Sequence, residues 1–231
     1  DELYAGIKAA CEDYQIDLVG GDTTDSPQGL IVSTTALGVV DSSQVVTRSK
    51  AQPNDVICVS GDFGGALLGL QSLEREKQVF IANPDMQPEL DNKSYVVLRQ
   101  LKPSARFDII HELKELGVVP TAMIDSSDGL AAEILHLCEA SGTGARIFEK
   151  HIPIDDETYL AATEFNLSPL TAALNGGEDY ELVFTVSQAD FEKVEKISDV
   201  TAIGYMTNLP NEKVMVMKSD QIVNLTAPGF N

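Results

Sequence analysis

Positive charge is what this chain has least of: 16 lysines and arginines stand against 36 aspartates and glutamates, a formal net charge of -20 over 231 residues. Surfaces for nucleic acid or anionic membranes need clustered positive charge, so neither is expected here. A phosphate ligand is still allowed, because Mg2+ bridges carboxylates to phosphates. Cysteine is also scarce. Cys11, Cys58 and Cys138 are far apart, odd in number, form no CxxC pair and each lie in an apolar run. They fit reduced core residues of a cytoplasmic protein. His111, His136 and His151 lack metal-ligand spacing, and no histidine is placed by motif as a general base. No Ser/His/Asp or Cys/His set is evident, no signal peptide is visible, and no apolar run approaches the ~18 residues of a membrane span.

What remains is ordinary globular material, with a hydrophobic fraction of 43% and a charged fraction of 23%. Residues 1–14 read as a helix already under way, with Leu3, Ile7, Ala10 and Cys11 on one face. No initiator methionine precedes it, so the expectation is the later part of a longer polypeptide. Buried strands are expected at 16–19 and 30–40, in a unit too small to cover both faces of its own sheet. A polar connector, 42–54, separates residues 1–41 from a second domain at 55–231. There the pattern alternates strands (56–60, 121–124, 145–148, 182–186, 200–205, 213–218 and 221–225) with helices, which makes the body mixed α/β.

The centre of that pattern is Met123-Ile124-Asp125-Ser126-Ser127-Asp128-Gly129-Leu130. A short strand runs into a helix with Leu130, Ile134, Leu135 and Cys138 on its apolar face and Glu133 and Glu139 off it. The corner between them carries two carboxylates three residues apart, with hydroxyls at 126 and 127. Hard carboxylate oxygens beside free helix N–H groups suit Mg2+ and phosphate. The competing explanation is a helix capped by Ser127 or Asp128 with Gly129 in a tight turn.

Further segments add to this chemistry. Gly20-Gly21-Asp22-Thr23-Thr24 puts an acid behind two glycines at a strand end, where phosphate can approach the backbone. Arg48 offers a planar fork of donors for phosphate. Gly61-Asp62-Phe63-Gly64-Gly65 lacks a Walker A ending and is better explained by Asp62 as an N-cap and glycines for close packing. Gly176-Gly177-Glu178-Asp179-Tyr180-Glu181 flanks an aromatic with three acids, one of them able to bond an organic amine or ring nitrogen; Asp179 and Glu181 also fit a plain acidic hairpin corner. Phe230 supplies a terminal aromatic able to stack on a flat ring. Clustered carboxylates, glycine corners and an arginine indicate metal-assisted phosphoryl transfer.

Four runs in this order, 18–24, 47–55, 124–130 and 176–182, resemble the thiamine-monophosphate kinase family, within the ATP-binding superfamily of aminoimidazole ribonucleotide synthetase and selenophosphate synthetase. The resemblance extends from Tyr4 to Phe230. It implies a remnant of an N-terminal ATP-binding and dimerisation domain followed by an α/β/α-layered C-terminal domain. It further implies Mg2+ on Asp22, Asp125 and Asp128, ATP on Tyr4, Gly21, Asp22, Arg48 and Ser127, and the thiamine moiety on Glu178 and Phe230. The implied reaction is in-line transfer of the ATP γ-phosphoryl group to thiamine monophosphate, without a covalent protein intermediate. A homodimer is implied for the complete protein, and inactivity for residues 1–231 alone. A sister ATP-dependent synthetase, or a non-catalytic nucleotide-binding domain on the same fold, is the alternative.

Overall fold

A computed structural model of the chain describes residues 2–228. It divides into two units between Val45 and Val46.

The first unit contains helix α1 (Glu2–Asp13) and a 3-10 turn at Ser42–Gln44. Asp41 caps that turn by accepting the Ser43 N–H at 2.8 Å. The expected strands at 16–19 and 30–40 do not form, and Val19, Leu30, Leu37 and Val39 are all exposed. β-Branched composition favours a strand only where a neighbouring backbone completes the ladder, and no described segment of this unit does so. Cys11 is half-buried here rather than a core residue, whereas Cys58 and Cys138 of the second unit are buried; all three are free thiols.

The second unit is built on a seven-stranded sheet of β1 (Val56–Ser60), β2 (Ala122–Asp125), β3 (Gly144–Phe148), β4 (Leu182–Val186), β5 (Val200–Thr207), β6 (Lys213–Val216) and β7 (Ile222–Asn224). Its spatial order is β2-β4-β1-β5-β3-β6-β7. Every pairing is antiparallel except β3 with β6. Seven helices accompany it: α2 (Gly65–Ala82), α3 (Ser94–Leu101), α4 (Phe107–Glu115), α5 (Leu130–Ser141), α6 (Asp156–Glu164), α7 (Pro169–Asn175) and α8 (Gln188–Val194).

Alternation along the strands sorts the core onto two faces. Ile57, Val59 and Val183 pack with Leu130, Ile134 and Leu137 of α5. Cys58, Phe184 and Val186 face the other way, against Ile109 and Leu113 of α4 and Val194 of α8. The sheet is therefore covered on both sides, the layering expected for this domain. A third cluster joins α2, α3, α6 and α7 through Leu68, Val96, Ala161 and Ala172.

The connector is stitched to this unit and is not a free linker over its second half. Thr47 accepts the Met123 N–H at 3.0 Å, running beside edge strand β2, and Asn54 donates to the Met206 carbonyl at 2.9 Å. Among the described residues no helix is long and apolar enough to cross a membrane.

Candidate active site

β2 ends at Asp125, and the chain turns through Ser126–Gly129 before α5 begins. The N-cap of α5 is Gly129, at φ 115°, and no side chain caps it. A Cβ there would stand 2.8 Å from the Leu174 carbonyl oxygen, so the corner closes only with glycine. Neither Ser127 nor Asp128 caps this helix. The backbone N–H of Asp128 is instead taken by Glu133 Oε1 at 3.0 Å. Glu133 is not off the buried face, as the helical pattern predicts, but 1% exposed. Burial pushes its carboxyl above the usual range, and the Asp128 and Asp125 charges push the same way. Asp125 and Asp128 remain exposed, and Ser127 is half-buried between them.

The 176–181 turn is zipped onto this corner. Ser126 N donates to Glu181 O at 2.7 Å, Glu178 N to Ser127 O at 2.9 Å, and Tyr180 N to Ser126 O at 2.9 Å. These bonds carry the β2–β4 pairing, which ends at Asp125 opposite Leu182, beyond the sheet. Gly177, Glu178 and Tyr180 all hold left-handed backbone, with φ of 68°, 62° and 52°. For residues with a Cβ that conformation costs on the order of 1–2 kcal/mol each. Glu178 and Tyr180 are exposed beside the corner, and the Tyr180 hydroxyl donates to Glu178 Oε2 at 3.0 Å. The Tyr180 phenol is held above its ordinary pKa, first by that bond, then by burial and by the charges of Glu178, Asp125 and Asp128. On the open end of β2 the Tyr180 hydroxyl thus bonds one carboxylate and lies in the field of two more.

The other two acids of the turn point into the protein. Asp179, 1% exposed, accepts Gly64 N at 2.7 Å and Ala66 N at 3.1 Å. It therefore caps α2, the role expected of Asp62. The residue at the N-cap of α2 is Gly64, at φ 90°. Asp62 instead accepts the Tyr95 hydroxyl. Burial pushes the Asp179 carboxyl up to about 6, while its two backbone donors and Arg99 pull the other way. Glu181, 2% exposed, is gripped by Arg99 at 2.7 Å, Arg106 at 2.5 Å and the Ser60 hydroxyl at 2.5 Å.

The first unit carries its own candidates. The Asp22 carboxylate accepts the Thr23 N–H at 2.9 Å, and the Tyr4 and Thr23 hydroxyls are bonded at 2.6 Å. Gly21 is exposed, with nothing within 4 Å of where a Cβ would stand. In the second unit Arg48 is exposed, one residue past the Thr47 carbonyl that pairs with β2. Phe230 lies outside the described residues.

The donor chemistry of the corner fits Mg2+, which binds through one or two protein carboxylates and completes its shell with water and phosphate oxygens. Asp125 and Asp128 are exposed, and neither is consumed by a cap. Among the described residues no three His, Cys, Asp or Glu side chains form a metal cage. A cavity of about 310 Å³ elsewhere in the unit is lined by Arg146, Tyr205, Asn208 and Glu212 and involves none of these residues.

Comparison with known proteins decides the family. Residues 1–40 match the AIR synthase related protein N-terminal domain, and residues 52–217 match the corresponding C-terminal domain. The thiamine-monophosphate kinase of Bacillus subtilis is 31% identical over 235 residues, covering 99% of this chain and 68% of that protein. The chain belongs to the thiamine-monophosphate kinase family. The Aquifex aeolicus thiamine-monophosphate kinase is 31% identical over 205 residues, covering 88% of this chain and 61% of its own length. A solved structure of AaThiL complexed with AMPPCP and TMP superposes with a TM-score of 0.70 at 26% identity, over 94% of this chain and 64% of that one. The chain thus spans about two thirds of the length of these relatives.

Motif reasoning singles out the exposed residues of the corner and the turn but passes over Arg99, Arg106, Ser60 and Glu133. One signal was available. In a sequence with 36 acids, three of them packed around a strand start, buried carboxylates need arginine partners. Which arginines serve is a matter of tertiary placement.

Proposed function

We propose that the complete protein transfers the γ-phosphoryl group of ATP to thiamine monophosphate, giving thiamine diphosphate and ADP, with Mg2+. The observation that carries this reading is the corner itself. Asp125 and Asp128 stand exposed and uncapped on the strand-to-helix turn, zipped to the turn that presents Glu178 and Tyr180, in a chain 31% identical to a thiamine-monophosphate kinase. Asp125 and Asp128, with Asp22 of the first unit, are the ligands we assign to Mg2+. Bound there, Mg2+ supplies charge neutralisation between phosphates and carboxylates.

This chain's residues position and do not react covalently. We assign Tyr4, Gly21, Asp22, Arg48 and Ser127 to ATP, with Arg48 giving a forked pair of donors to phosphate oxygens. Glu178 is assigned to the cationic thiamine moiety, its carboxylate steadied by the Tyr180 hydroxyl, and Phe230 to the substrate rings. Because transfer is in-line, fixing donor and acceptor in register supplies most of the catalysis. We further propose that the complete protein is a cytoplasmic homodimer. The exposed Val19, Leu30, Leu37 and Val39 of the first unit, with no ladder of their own, favour completion by more chain. Residues 1–231 alone are proposed to be inactive.

The deciding experiment is thiamine diphosphate formation from thiamine monophosphate and ATP by the complete gene product, with and without Mg2+. Mg2+-dependent product is expected. Nucleotide binding without product would refute the kinase reading and leave a binding domain on the same fold.

A further inference from the structure

Four consecutive residues of the turn alternate in what they do. Glu178 and Tyr180 are exposed at the site, whereas Asp179 and Glu181 are buried beneath it. The two exposed positions are also the two non-glycine positions forced into left-handed backbone. Such backbone persists only where the surroundings over-determine it. On one side the three backbone hydrogen bonds to Ser126 and Ser127 hold it. On the other side stand two arginines. Arg99 donates to Glu181 Oε1 at 2.7 Å, to the Asp62 carbonyl at 2.9 Å and to the Asp179 carbonyl at 3.2 Å, with the Asp179 carboxylate 3.7 Å away. Burial works against the Arg99 charge, but Glu181, Asp62 and Asp179 outweigh it and keep the guanidinium protonated. Arg106 donates to Glu181 Oε2 at 2.5 Å and to Asp108 at 2.8 Å, and pairs with Asp199.

We propose that Arg99 and Arg106 are positioning residues of this site: together they hold the 177–181 turn in its left-handed form, and through it the Asp125–Asp128 corner. Arg99 is bonded at once to the backbone of the turn and to an inward carboxylate, and it comes from the last turn of α3. Arg106 comes from the residue before α4 and grips the same Glu181. Two helices therefore converge on the underside of a surface they do not themselves line. The role requires a planar fork with several donors, since the acceptors of Arg99 lie in different directions. An ammonium group keeps the charge but loses the fork. The geometric part of the proposal stands on these contacts, and its link to turnover rests on the kinase function proposed above.

The test uses Arg99→Lys and Arg106→Lys in the complete protein, with Arg75→Lys, from the Arg75–Glu164 pair, as the control. Hydrogen exchange is read at the amides of Ser126, Glu178 and Tyr180, and at Val183 and Phe184 within β4. At the first three, exchange is expected to speed up at least about tenfold in both site variants, with less than about twofold change at the β4 pair. In parallel, kcat falls at least about tenfold while KM for ATP moves less than about threefold. Arg75→Lys leaves both readouts as in the parent. Unchanged exchange at 126, 178 and 180 would overturn the proposal. So would the same exchange pattern in the parent at a urea concentration matching the variants' global stability, because the effect would then be general loosening. If neither variant folds, the arginines carry the whole domain and not the turn, and the proposal is again overturned. If the unaltered protein makes no thiamine diphosphate, the function proposed above fails while the exchange readout still decides this one.

Discussion

Gly177 and Gly142 adopt almost the same left-handed backbone, φ +68° and +67°, which makes alanine at the two positions a matched pair. A Cβ added at Gly142, the C-cap of α5, meets nothing within 4 Å. A Cβ added at Gly177 stands 2.6 Å from the Ser127 carbonyl oxygen and 3.2 Å from the Asp128 carbonyl carbon. Gly142→Ala therefore pays only for the conformation, about 1 kcal/mol. Gly177→Ala pays that and must also push back a carbonyl that accepts the Glu178 N–H. Weakening that bond costs about 1 kcal/mol and relieving the contact another 1–2 kcal/mol, for a total of about 3–4 kcal/mol. Urea unfolding of both variants, with midpoints and slopes compared to the parent, measures the difference directly. Turnover of the complete protein should fall with Gly177→Ala and stay near the parent with Gly142→Ala. Equal destabilisation of the two, within about 0.5 kcal/mol, would refute the close approach of turn and corner.

Three other perturbations have defined outcomes. Asp128→Asn, at an exposed position that caps nothing, should change stability by less than about 0.5 kcal/mol and lower turnover at least about 100-fold; an unfolding shift as large as that of a core deletion would return Asp128 to a structural role. Asp179, with its carboxyl pushed up to about 6, binds its proton more tightly folded than unfolded, where the ordinary value is 3.8. Its contribution to stability is therefore most favourable at low pH, declines as pH rises from about 4 through 6, and is level above that. Asp179→Asn should flatten this part of the pH dependence in urea midpoints between pH 4.5 and 7, and an unchanged slope would contradict the burial cost. Burial raises the Cys58 thiol to about 12 and the Cys138 thiol to about 11, so iodoacetamide at pH 8 should label Cys11 in the native protein and the other two only after unfolding, as read by mass spectrometry.

Legibility in the sequence followed locality. β4 appears at 182–186 as its composition predicts, and α5 ends at the αL Gly142 that terminates its apolar stripe. α7 starts at Pro169, with the Ser168 side chain accepting the Thr171 N–H. Asp125, Asp128 and Glu178 stand out in the sequence because each sits at a strand or turn end, and all three are exposed. Most of the failures are non-local. Residues 16–19 and 30–40 have strand composition, but a ladder depends on a partner that composition does not name. Asp62 precedes a helix and looks like its cap, yet Asp179, 115 residues beyond Gly64, takes the two N–H groups. Glu133 is the local exception: it lies three residues after Leu130, close enough on the wheel to be carried inside with it, and the Asp128 N–H it accepts and the His136 charge favour the acid there.

The order of the strands sets when this protein can become a protein. β1 is made early and is flanked by β4 and β5, so Val59 waits for Val183 on one side and Thr201 on the other. At ribosomal rates of about 5–20 residues per second, the gap is on the order of ten seconds. During that interval Ile57, Cys58 and Val59 are an apolar segment with both edges open, the kind of sequence that chaperones bind and that aggregates when they do not. Contacts of such sequence separation also make spontaneous refolding slow. A stop codon anywhere between the ends of α7 and β4 would leave β1 with no complete neighbour on either side.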